Sequence, residues 1–186
     1  FHAPTDFMRP HLDWEGLFGE NSPYNPGEGA KIFTDDQQEV FAAVEEHVRN
    51  TMIAIGQSSK TFGMIHADFL SKNIVFNQQI VAAIDVHDCG WGYYLYDLAP
   101  LLLQFKSDSR YESLRETHLN GYTSLRPLSS TDLEHLEVFI AARHLASCRW
   151  QAGNLHNPHI RQHAAKIIAR RTEDLRQFLK TGILEI

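Results

Sequence analysis

Residues 65–99 read IHADFLSKNIVFNQQIVAAIDVHDCGWGYYLYDLA. The stretch holds a His-x-Asp at His66–Asp68, then Asn73, Asp85 after an isoleucine, Asp88, and Asp97 at a helix start. Two β-rich runs, Ile74–Phe76 and Ile80–Ile84, read as strands of a hairpin turning at Asn77-Gln78-Gln79. Asp68 has the side chain of a base that orients a hydroxyl. Asn73 offers an amide oxygen and Asp85 a carboxylate, both hard ligands for a metal. Together these are the groups that magnesium-dependent phosphoryl transfer requires. A tight hairpin brings Asn73 and Asp85 close although twelve residues separate them. Any one of these acids alone would be an ordinary solvated surface residue; the joint spacing marks a site.

Working outward, Phe62–Ile65 reads as a short strand entering His66, and Gly90 and Gly92 break the chain after the hairpin. A helix is then expected from about Tyr96 to Leu103, with Asp97 in its first turn. Upstream, Thr34 caps a helix whose first turn carries Asp35 and Asp36, where the macrodipole favours carboxylates. Val40, Phe41, Val44, Val48, Met52 and Ile55 form its apolar stripe, and Gly56 ends it. Downstream, one helix is expected over 109–124. A long one capped by Thr131 or Asp132 carries Leu133, Leu136, Ile140 and Leu145. A last one opens at Asn157-Pro158, with Ile160, Ala164, Ile167, Ile168, Leu175, Phe178 and Leu179 as its stripe. Residues 1–34 read as an irregular lead-in, punctuated by Pro4, Pro10, Pro23 and Pro26 and by glycines. Trp14, Leu17, Phe18 and Tyr24 anchor it to a core. The expected fold class is α+β: mainly α with a small β-hairpin, residues 35–186 forming the body.

Composition sets broad limits. The 186 residues are 43% hydrophobic and 22% charged, ordinary for a soluble globular chain. The net charge of −6 argues against a nucleic-acid partner, which would need a basic surface. No run approaches a membrane span, so no membrane partner is expected. Cys89 and Cys148 stand far apart in no metal spacing, as free thiols of a cytoplasmic protein do. His156, His159 and His163 cluster, but no carboxylate or cysteine completes a metal set, and HNPHIRQH reads as a solvated helix start.

His66-x-Asp68, Asn73 five residues beyond Asp68, Asp85 twelve further, and Tyr-Asp-Leu-Ala around Asp97 another twelve on together resemble the C-terminal lobe of the aminoglycoside phosphotransferase and choline kinase family, relatives of the protein kinases. RPHLDWEGLFGENSPYNPG at 9–27 is similar to the loop that precedes this lobe in some bacterial members. The resemblance covers His66–Ala99 closely and the flanking helices loosely. It implies ATP and Mg2+ as cofactors and a small-molecule hydroxyl as acceptor. It implies Asp68 as the catalytic base, Asn73 and Asp85 as metal ligands, and His66 and Asp97 as supports of the catalytic loop. Asp88 is left as a second metal partner or a substrate contact. Four positions depart from the family pattern, among them His87, where an acid or a small residue is common. Ala67 replaces a common glycine, small for small; Val86 stands where an aromatic is common; and Lys72 precedes Asn73 where glycine is frequent. His87 is expected to be an exposed histidine, and Trp91, Tyr93, Tyr94 and Tyr96 packing residues. Trp14, Trp150, Asp13 and Glu15 are candidates to line an acceptor pocket.

Such a phosphotransferase has a second lobe, a twisted sheet with a phosphate-covering loop and a Lys–Glu pair. No strand carrying Val-Ala-x-Lys is present, and Gly27-Glu28-Gly29 precedes no β pattern. The expectation is therefore a C-terminal lobe joined to a missing N-terminal lobe and inactive as this fragment. The alternatives are a non-catalytic kinase-like binding or regulatory module, and an unrelated metal-dependent hydrolase built on Asp68, Asp85 and Asp88.

Overall fold

The computed structural model describes residues 8–78 and 80–186. Pro4 and the rest of residues 1–7 of the lead-in, and Gln79 of the expected turn, lie outside the described residues. The chain is mostly helical with two small sheets, as expected of its α+β pattern.

Residues 8–34 are less irregular than their proline and glycine content implies. They contain strand β1 (His11–Leu12), helix α1 (Trp14–Phe18) and a 3-10 turn at Gly27–Ile32. Asp13 caps α1 by accepting from the Gly16 amide. Helix α2 (Asp35–Ile55) starts at Thr34, which exchanges hydrogen bonds with Gln37 in a capping box, and it buries Val40, Phe41, Val44, Val48 and Met52.

Strands β2 (Phe62–Ile65), β3 (Ile74–Asn77), β4 (Ile80–Ala83) and β5 (Gly90–Tyr93) follow. β3 and β4 pair antiparallel as the expected hairpin, Ile74 opposite Ala83. The glycines at 90 and 92 do not break the chain. They lie inside β5, the central strand of a second sheet, which pairs antiparallel with β2 and parallel with β1. The reason is steric: a Cβ on Gly90 would stand 2.4 Å from the Pro10 carbonyl oxygen, and one on Gly92 2.4 Å from Ile65 Cδ1. Glycine here permits close approach of neighbouring chain rather than a turn.

Helix α3 runs over Tyr94–Phe105, beginning two residues earlier than the sequence pattern implies, so Asp97 remains in its first turn. Helices α4 (Tyr111–Thr123), α5 (Ser130–Gly153) and α6 (Pro158–Thr181) complete the body. The cap of α5 is Ser129, not Thr131 or Asp132. The Asp132 carboxylate instead accepts from the Ser129 amide, and its own amide donates to Ser129 Oγ, completing a capping box. α5 is the central helix, packed against α2, α3 and α6, and it is buried around most of its circumference. A helix enclosed on several sides has no single apolar stripe, so its sequence shows only part of its core contribution. No helix of the described residues is long and apolar enough to cross a membrane.

Candidate active site

The loop from His66 to Asn73 is fixed from both sides. Asp97, on α3, accepts from the His66 amide at 2.9 Å through one carboxylate oxygen and from the Ala67 amide at 2.7 Å through the other. Burial pushes the Asp97 pKa up, and these two amides oppose that shift. Gln104, one helical face further along α3, holds Ser71: its oxygen accepts from the Ser71 amide at 2.9 Å and its nitrogen donates to Ser71 Oγ at 2.8 Å. The His66 ring reaches the other way, with Nε2 2.9 Å from the Ile84 carbonyl oxygen. A carbonyl only accepts, so Nε2 carries the hydrogen. His66 thereby ties the loop to the end of the hairpin, one residue before Asp85.

Ala67 adopts φ of +69° and is fully buried. The small-for-small exchange is therefore not neutral. A Cβ in the left-handed region costs about 1–2 kcal/mol that glycine would avoid. Asp85 also lies in this region, at φ 63° and ψ 55°, where an aspartate is better tolerated.

Asp68 is buried, and its carboxylate has three cationic or amide neighbours. Oδ1 accepts from Arg143 Nη2, from the middle of α5. Oδ2 accepts from Asn73 Nδ2 at 3.2 Å and lies 3.6 Å from Lys72 Nζ. Arg143 is itself held by Nη1 donating to the Tyr24 hydroxyl at 3.2 Å. Burial works against its charge, but Tyr96, Tyr24 and Asp68 outweigh that and raise its pKa. Asn73 is buried, and Nδ2 also donates to the Asp68 carbonyl at 2.8 Å. Both contacts fix the amide orientation, leaving Oδ1 as the atom available to a ligand. The Ile84 amide donates to the Asn73 carbonyl at 2.9 Å, extending the hairpin ladder so that Asn73 and Asp85 end it on adjacent registers.

Asp68, Asp85, Asp88, Lys72 and His87 line one open cleft of about 710 Å³. Pro10, Leu12, Pro23 and Tyr24 of the lead-in close one wall, and Arg143, Ser147, Trp150, Gln151 and Arg171 of α5 and α6 form another. Asp85, His87 and Asp88 are exposed to this space. Lys72 is solvent-exposed yet stands beside Asp68. Of the pocket candidates on the flanks, Trp150 lines the cleft. Trp14 and Asp13 do not: Trp14 Nε1 donates to the Glu45 carbonyl and its ring lies under Arg49, while Asp13 is the α1 cap. Glu15 lies outside the cleft as well. Tyr93 and Tyr96 are buried packing residues.

The donor set fits a hard divalent cation. The exposed Asp85 carboxylate lines the cleft and Asn73 is buried on the adjacent hairpin register; phosphate oxygens would complete the coordination. Among the described residues no three His, Cys, Asp or Glu side chains gather into a self-sufficient metal cage, the C-terminal histidines included. His159 and His163 stack edge-on at 5.3 Å instead. Magnesium characteristically takes one or two protein ligands and leaves the rest to substrate and water.

Arg143 and Gln104 were not singled out by sequence reasoning, and Tyr24 was read only as a core anchor. Arg143 carried one signal: Arg143-His144 interrupts an otherwise apolar run from Val138 to Ala146. A cation placed there needs an acid from elsewhere in the fold.

The family model for the phosphotransferase enzyme family (APH) matches residues 8–132. Three solved structures share the fold. A microcompartment-associated aminopropanol kinase aligns with a TM-score of 0.85 at 23% identity, covering 100% of this chain and 58% of its own. An amicoumacin kinase in complex with AMP-PNP, Ca2+ and Ami aligns at 0.67 and 17%, covering 96% and 57%. A choline/ethanolamine kinase family protein from Mesorhizobium loti aligns at 0.66 and 15%, covering 97% and 59%. At these identities the likeness is one of fold, and the chain spans 57–59% of the length of each. No curated protein matches the chain.

Proposed function

The chain belongs to the phosphotransferase enzyme family whose model it matches, and from that premise we propose that it is the substrate- and metal-binding lobe of an ATP-dependent small-molecule kinase. The observation that carries the reading is the single cleft shared by Asp68 and Asp85, with Asn73 hydrogen-bonded to the first and in hairpin register beside the second.

In this reading Asp68 accepts a hydrogen bond from the acceptor hydroxyl and takes its proton as the oxygen–phosphorus bond forms and the bond to ADP breaks. Arg143 and Asn73 each occupy one side of its carboxylate, and each oxygen keeps a second lone pair for the hydroxyl. Asp97 and Gln104 hold the loop amides, so the carboxylate is pre-positioned rather than ordered by substrate. Asn73 and Asp85 would hold Mg2+, which when bound neutralises phosphate charge.

The nucleotide-covering half lies in a second lobe outside these residues. Two observations support this: the share of each solved relative that the chain spans, and the bare apolar side chains of the hairpin, Phe76 and Val81 on one face and Ile80 on the other. Calorimetry of ATP on the full-length protein tests the class. Binding should depend on Mg2+, and Asp85→Asn should remove that dependence. No binding with or without metal would favour a non-catalytic module instead.

A further inference from the structure

The cleft is bipolar. Its carboxylates, Asp68, Asp85 and Asp88, all come from the 65–99 stretch, and metal binding and proton transfer account for the first two. The opposite wall, on α5 and α6, carries Arg143 and Arg171 and no acid. Asp68 neutralises Arg143. Arg171 has no such partner. Among the described residues it makes no ion pair: Nη1 donates to the neutral Ser147 hydroxyl at 2.8 Å, and the Cys148 thiol and Asp174 carboxylate act on its charge without forming a salt bridge. Nearby Asp174 is turned to His144, with Oδ2 3.0 Å from Nε2.

Burial depresses the Arg171 pKa and repulsion from Arg143 adds to the shift, against the opposing pull of Cys148 and Asp174. Arg171 and Ser147 also line a second cavity of about 480 Å³ between α3, α5 and α6, which shares Leu70 and Arg143 with the first. A guanidinium with no ion pair among the described residues, set where two cavities meet, is a ready fork for a planar anion.

We propose that Arg171, with Ser147 beside it, binds a carboxylate on the acceptor, making the acceptor a small hydroxy acid rather than an amino alcohol. The inference rests on the phosphotransferase reading for the word acceptor, but not for the anion site itself. The carboxylate would supply the charge that Arg171 lacks, while the hydroxyl end of the same molecule reaches Asp68 across the cleft. An ammonium at that end would meet the guanidiniums of Arg143 and Arg171, and the nearby Asp174 carboxylate is engaged by His144.

The test uses three ligands of one length, 3-hydroxypropionate, 1,3-propanediol and 3-amino-1-propanol, titrated onto the full-length protein without nucleotide and followed by ligand-observed NMR. The hydroxy acid should bind about ten- to a hundredfold tighter than the other two, the range of hydrogen bonds to a charged group. Arg171→Gln should erase the difference and Arg171→Lys should retain part of it. Should Arg171→Gln fail to fold, the three-ligand ranking on the unaltered protein decides. Equal binding of the three, or tightest binding of the amino alcohol, overturns the proposal. Mg2+-dependent ATP binding in the same samples separates the two claims: ATP binding without carboxylate preference sinks this inference alone, and the converse sinks only the kinase reading.

Discussion

The helical body and the β3–β4 hairpin use the same apolar residue types to opposite ends. In α5, Phe139, Ile140 and Leu145 are completely enclosed by α2, α3 and α6. In the hairpin, Phe76 is 72% exposed, Ile80 66% and Val81 61%. Burying such side chains is worth about 1.5–3 kcal/mol each, so the body is a finished core and the hairpin face is not. The site straddles this division. Asp68 is held by Asp97 through the loop amides and directly by Arg143, both from the body. Asp85 projects from the unfinished side. On the proposed reading, the half that would activate the hydroxyl is built from described residues, whereas the half that would meet the nucleotide presents an uncovered surface.

The largest effect is expected at Asp68. Asp68→Asn keeps the shape and the contact with Asn73 but removes the base, so the turnover number of the full-length protein should fall about 10²–10⁴-fold. A steady-state assay showing near-normal turnover would remove Asp68 from the chemistry. Next comes the pair Phe139→Ala and Phe76→Ala. In urea unfolding of residues 1–186, the first should cost about 3–5 kcal/mol and the second less than ~0.5 kcal/mol. Equal costs would erase the distinction between body and hairpin. Asp97→Asn leaves one oxygen for two amides, and hydrogen bonds to charged groups are worth about 1.5–3 kcal/mol. Chemical denaturation should show a loss in that range, accompanied by reduced turnover because the loop carrying Asp68 loosens.

Smaller effects sharpen the picture within the body. Burial lowers the pKa of His118, and lowers that of His144 although its bond to Asp174 opposes the shift. A histidine kept neutral in the fold contributes its full stability above the ordinary value of 6.5 and loses it as pH falls through the depressed folded value. Thermal melts should therefore decline by roughly 2–4 °C between about pH 7.5 and pH 5, and His118→Asn should flatten part of that slope. Smallest is Ala67→Gly, which should gain about 1 kcal/mol by relieving the positive φ, read as a raised denaturation midpoint.

Much of the body was legible because its signals are local. Thr34 before two aspartates marks the start of α2, Asn157-Pro158 marks α6, and the run from Ile74 to Ala83 marks the hairpin. What escaped depends on residues far apart in the chain. Gly90 and Gly92 look like breakers until Pro10 and Ile65 are seen against them. Ser129 is the α5 cap because the Asp132 carboxylate accepts from its amide, a choice between neighbouring hydroxyls that periodicity does not decide. At the site, the acids were visible in their spacing, but the groups that hold Asp68 and Ser71 were not. Arg143 lies 75 residues from Asp68 and Gln104 33 from Ser71, and only the packing of α3 and α5 brings them there. The strain at Ala67 was likewise hidden, because composition shows a small residue and not its φ.

The central claim is that these residues supply the hydroxyl- and metal-binding half of a phosphotransferase site whose nucleotide cover lies elsewhere. The direct measurement is ATP turnover with a hydroxyl acceptor, run side by side on residues 1–186 alone and on the full-length protein. The account predicts negligible turnover by residues 1–186 and Mg2+-dependent turnover, lost in Asp68→Asn, by the full-length protein. Robust phosphorylation of an acceptor by residues 1–186 alone would contradict it.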